Sequence, residues 1–75
     1  MNERIQERID VICSECKAIW SDNYIPADVR CESRRLYADL YEDTSFITQH
    51  PMSRKNIRVV IRSYEDRMTK LYERF

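Results

Sequence analysis

Four residues of this 75-residue chain have the side chains from which a tetrahedral zinc site is built: Cys13 and Cys16, with Cys31 and His50 further on. Three thiolates and one imidazole make a complete zinc ligand set. The placement of the Cys13-Ser-Glu-Cys16 pair argues against that use. Zinc-binding pairs of this spacing sit on turns whose backbone amides face the sulfurs, whereas this pair falls inside a run of helical periodicity with Cys16 on its apolar seam. Redox use needs a helix N-terminus to stabilise the thiolate, and the pair lies about three turns into its helix. The cysteines read as small residues of a helix interior. Zinc ligation by Cys13, Cys16, Cys31 and His50 is the least favoured alternative, and no cofactor is expected.

Little else supports catalysis. The chain has one histidine and no glycine, hence no Gly-rich phosphate loop and no nucleophile elbow. The acid pairs Glu42/Asp43 and Glu65/Asp66 are adjacent in sequence, so on a helix their carboxylates point about 100° apart. They suit a solvated face better than paired acid–base chemistry. The sequence therefore predicts a protein that is not an enzyme.

Charge distribution is more informative. The formal net charge is zero, yet residues 51–75 hold seven bases and three acids, whereas 1–24 and 25–50 each hold five acids and three bases. Arg54, Lys55, Arg58 and Arg62 open the last helical run with no acid before Glu65. Cations there oppose the helix dipole, a local cost consistent with a surface kept for an acidic protein partner. Val59, opposite the apolar seam, belongs to the same expected surface. Tyr37 and Tyr41 form a second candidate, because exposed tyrosine near arginine is the composition of interface hot spots. The spacing of Arg54, Arg58 and Arg62 also permits phosphate contact. A helix-turn-helix, however, needs a tighter turn and a shorter recognition helix, so nucleic acid ranks behind protein as partner.

The elements that carry these residues are helices. Ile5, Ile9, Ile12, Cys16 and Ile19 follow a 4-3-4-3 spacing, and Ile57, Ile61, Tyr64, Met68, Leu71 and Phe75 a 4-3-4-3-4 spacing. Between them Val29, Leu36, Tyr37, Leu40 and Tyr41 are less regular, with Ser33 where the pattern wants an apolar residue. Asn2 is a candidate N-cap for the first helix, Asn23 a candidate left-handed C-cap, Pro26 a first helical residue and Ser53 a cap for the last helix. The segment 43–52 reads as a loop, with Phe46 and Ile47 plugging one end of the core. The expected fold is all-α: a three-helix bundle over approximately 2–21, 26–43 and 53–75, up-down-up, as one domain over 1–75. The strict 4-3 spacing also admits self-association into a homodimer. Without a signal-like segment or a long apolar run, the expected location is cytoplasmic, with no membrane partner. The combined expectation is a helical protein-binding module, a regulator or inhibitor of a larger protein or complex.

Overall fold

The computed structural model describes residues 3–75, which form three helices, α1 (Glu3–Ser21), α2 (Ala27–Gln49) and α3 (Arg54–Tyr72). Each buries one stripe. On α1 it is Ile5, Ile9, Ile12, Cys16 and Ile19; on α2 Val29, Ser33, Leu36, Leu40 and Ile47; on α3 Ile57, Ile61, Tyr64, Met68 and Leu71. The three stripes meet in one core, so the expected all-α three-helix bundle is the architecture observed.

The side-chain pairs between helices fix the topology. Arg8 meets Glu65 and Cys16 meets Met68, so residue numbers rise together along α1 and α3 and the two run parallel. Between α2 and α3, Asp28 meets Arg74, Asp39 meets Arg67 and Asp43 meets Tyr64, an antiparallel order. The result is an up-down-up bundle of 39 × 19 × 17 Å.

Ser33 explains the irregular middle helix. Its side chain is fully buried, donating a hydrogen bond to the Arg30 carbonyl at 2.8 Å and lying 3.4 Å from the Cys16 carbonyl of α1. A small residue at the crossing lets the two backbones approach, and its hydroxyl is satisfied locally.

Several boundaries differ from expectation. α2 runs six residues past Asp43, to Gln49, because nothing between them stops a helix. The Thr44 hydroxyl bonds back to the Tyr41 carbonyl at 3.0 Å, and that of Thr48 to the Thr44 carbonyl at 2.9 Å. Pro51 disfavours helical backbone at His50, whose φ and ψ are −127° and 85°, and the helix ends there. Ile47 thus enters the core as a helical residue, while Phe46 is exposed and stacks on His50. Pro26 is the N-cap of α2, one residue before the helix. No described residue has positive φ, so Asn23 does not make a left-handed cap. Asp22 builds that turn instead, its carboxylate accepting from Tyr24 N–H at 2.9 Å and its carbonyl from Ile25 N–H at 3.2 Å. Ser53 caps α3 as expected, accepting from Asn56 N–H at 3.2 Å. Phe75 lies one turn beyond the end of α3, exposed and tilted against Tyr72, so it is not part of the seam. Asn2 lies outside the described residues.

Candidate partner-binding surface

The first turns of α3 are set by the Ser53 cap, which leaves Arg54 and Lys55 as the first two helical residues and no acid in the first turn. Arg54, Lys55 and Arg58 are all exposed. None of them makes an ion pair among the described residues, whose pairs are Arg8–Glu65, Arg35–Glu32, Arg62–Asp66, Arg67–Asp39 and Arg74–Asp28. The cause is in the sequence. Side chains three and four positions apart on a helix are neighbours, and those of Lys55 and Arg58 are Pro51, Met52, Arg54, Val59, Ile61, Arg62 and each other. Arg62 differs, with its Nε 3.4 Å from the Asp66 carboxylate one turn on.

The structure divides the expected stripe. Lys55, Arg58, Val59 and Arg62 line one shallow groove with Arg8, Ser63 and Asp66, and Val59 is 64% exposed there. Arg54 faces the end of the bundle, where it lines a cleft with Ile5, Ile47, Met52 and Ile57.

Tyr37 and Tyr41 are not brought to this surface. The start of α3 packs beside Ile47 of α2, whereas Tyr37 packs beside Trp20, so about 15 Å of helix separates the two places. Tyr37 is half-buried rather than exposed. Its ring meets Trp20 edge-on at 5.2 Å and 83°, with the Lys17 ammonium 5.6 Å from its centroid. Tyr41 is 66% exposed. The sequence reading missed Lys17, Trp20 and Arg34, whose guanidinium lies 5.6 Å from the Trp20 ring. Their available signal was an absence of acids at helical neighbour positions.

The four candidate metal ligands are dispersed. Cys16 is buried, its thiol 3.7 Å from the Met68 sulfur, and burial raises its pKa to about 11. Burial also raises the Cys13 pKa, assisted by the Asp10 carboxylate. Cys31 is exposed on α2, and His50 lies at that helix's far end, about 28 Å along the axis. Among the described residues no three His, Cys, Asp or Glu side chains are grouped to hold a metal ion.

The acid pairs are largely engaged between or along helices. Glu65 accepts two hydrogen bonds from Arg8, one of them 3.1 Å from Nε to Oε2, and these hold its carboxyl below the usual carboxylate range. Asp43 accepts from the Tyr64 hydroxyl, and burial together with that bond pushes the Tyr64 phenol well above its ordinary pKa. No described helix is long and apolar enough to cross a membrane. Comparison with protein-family models, curated proteins and solved structures finds no match to the chain.

Proposed function

We propose that the chain is a non-enzymatic helical module that regulates or inhibits a larger protein by docking an acidic segment of it on the first turns of α3. The observation that carries this reading is the pair Lys55 and Arg58, exposed in one groove without an ion pair among the described residues, with Lys55 and the adjacent Arg54 set in the first turn against the dipole of their own helix. Such a cluster costs the fold stability, and an opposite charge on a partner would offset that cost. Val59, exposed in the groove that Lys55, Arg58 and Arg62 also line, supplies an apolar contact beside these charges. Phosphates of nucleic acid are a weaker match, because Arg54 lines the cleft at the bundle end and not the groove of Arg58 and Arg62, so the three do not form one continuous stripe.

The test is quantitative capture from the native cell with the purified chain as bait, followed by cross-link mapping. The partner should be captured by the wild type and by Arg35→Glu, and lost with Lys55→Glu/Arg58→Glu at unchanged helicity. Equal capture by the double variant would remove this surface. Retardation of a short DNA duplex at low salt without any protein capture would transfer the cations to phosphate binding.

A further inference from the structure

A second cation cluster lies on the side where α1 and α2 meet, towards the C-terminal half of α1. Lys17 of α1 and Arg30 and Arg34 of α2 have no ion-pair partner among the described residues. Their helical neighbours explain why. Lys17 is three or four positions from Cys13, Ser14, Trp20 and Ser21, and Arg34 from Arg30, Cys31, Tyr37 and Ala38. For Arg30 the remaining neighbours are Pro26, Ala27 and Ser33, so along its own helix none of the three has a carboxylate at a neighbouring position.

Two interlocked rings seat these cations. Trp20 and Tyr37 meet edge to face across the helix pair, with Arg34 over the indole and Lys17 over the phenol, each at 5.6 Å. A guanidinium resting on a ring has lost much of its rotamer freedom before any ligand arrives, and its donor fork still matches a carboxylate. One turn before Arg34, the Arg30 Nε is buried without a hydrogen bond, and one turn after Tyr37 the ring of Tyr41 is largely exposed.

We propose that this face is a second docking surface, independent of α3, for an acidic peptide segment of a partner protein. Arg34, Arg30 and Lys17 take its carboxylates, and the Trp20–Tyr37–Tyr41 edge takes its apolar atoms. Arginine, tryptophan and tyrosine in one patch are the residues enriched in interface hot spots, and the patch is cationic around Trp20, its nearest acid on that side of α1 being Asp10 beyond Cys13. Single-stranded nucleic acid is the competing polyanion. It binds by stacking bases on open ring faces, whereas here Trp20 and Tyr37 each already carry a cation on a ring face.

Trp20 is the sole tryptophan, so its emission reports on this face alone. The whole chain is titrated with a capped dodecapeptide of Glu and Asp flanking one Leu, and separately with an oligothymidylate of equal charge. The peptide should change Trp20 emission saturably, with half-saturation below about 1 mM at low salt. Arg34→Glu and Lys17→Glu should each weaken it about tenfold or more, with circular dichroism confirming the fold. Half-saturation rather than amplitude is compared, because Lys17 and Arg34 both neighbour Trp20 and either reversal changes its unliganded emission. Arg58→Glu should leave the titration unchanged, which separates this face from the α3 surface. The proposal is overturned if the peptide gives no saturable response, if both charge reversals respond as the wild type does, or if the oligothymidylate binds more tightly.

Discussion

Replacing Lys55 by Glu should stabilise the fold while removing the α3 surface. Lys55 is the second residue of α3, after the Ser53 cap and Arg54, and is exposed. Taking a cation out of a first helical turn relieves about 0.3–1 kcal/mol, and a carboxylate there contributes a similar amount. The Lys55–Arg58 pair, three positions apart, changes from repulsive to attractive, about 0.2–0.5 kcal/mol for each half of that change. With screening at physiological ionic strength the net gain is about 1–2 kcal/mol. For a domain of this size that raises Tm by roughly 4–15 °C. Thermal melts followed by far-UV circular dichroism at low and high salt are the assay, and the gain should shrink as salt rises. The reverse placement provides a control: Lys70 is in the last turn of α3, where the dipole favours a cation, and lies four and three positions from Asp66 and Glu73, so Lys70→Glu should destabilise by about 1–2 kcal/mol. A fall in Tm for Lys55→Glu would refute the reasoning. It would mean that carboxylates of the fold itself, such as Glu7 beside Arg8 in the adjoining groove, stabilise the cluster at a distance and that the cations serve the fold.

Three further outcomes follow from the packing and the ionisations. Ser33→Ala should change stability by no more than about 1 kcal/mol, because only a locally bonded hydroxyl is lost and the β-carbon stays in place. Ser33→Leu should cost about 1–3 kcal/mol in urea melts by forcing the α1–α2 crossing apart; a stabilised Leu variant would show that room exists there. Glu65, whose folded pKa is lowered from 4.5 by its hydrogen bonds from Arg8, contributes stability that is complete above 4.5 and is lost as pH falls through the lower folded value. Both side chains are 35% exposed, so Glu65→Gln should cost no more than about 1 kcal/mol at neutral pH. The gap between the two urea midpoints should close in acid, and a gap independent of pH would assign the effect to packing. With a thiol-reactive disulfide reagent, exposed Cys31 should react first, half-buried Cys13 more slowly, and Cys16 only as the bundle opens.

The core was legible wherever apolar residues kept the 4-3 spacing, which covers all of the α1 stripe and the α3 stripe through Leu71. It was misread where polar residues occupy seam positions. After Leu40 the seam of α2 passes through Asp43 before it reaches Ile47, and Asp43-Thr44-Ser45 resembles a turn because these side chains compete for backbone hydrogen bonds. In the fold the Asp43 carboxylate accepts from Tyr64 of α3 and the Thr44 hydroxyl returns to its own helix, so helical backbone persists. Neither bond is visible without knowing which helix lies opposite. The α3 cations were legible because they are consecutive on one element. The Lys17–Arg34 cluster was not, because it is assembled across two helices whose surrounding segments each hold more acids than bases.

A net charge of zero gives the molecule little long-range attraction for any polyanion beyond a Debye length, about 8 Å in physiological salt. An acidic partner would therefore distinguish the two cationic surfaces at contact, where their construction differs. Lys17 and Arg34 are seated on rings, so less side-chain entropy remains to be lost when a carboxylate binds. Arg54, Lys55 and Arg58 are exposed without ion pairs among the described residues, so binding must order them, but removing their charge relieves strain on α3. Charge reversal should accordingly separate the two surfaces by sign. At α3 it should trade partner binding for stability, whereas at the Trp20–Tyr37 face it should forfeit cation–π contacts, worth about 0.5–1 kcal/mol each at exposed sites, and weaken binding and fold together.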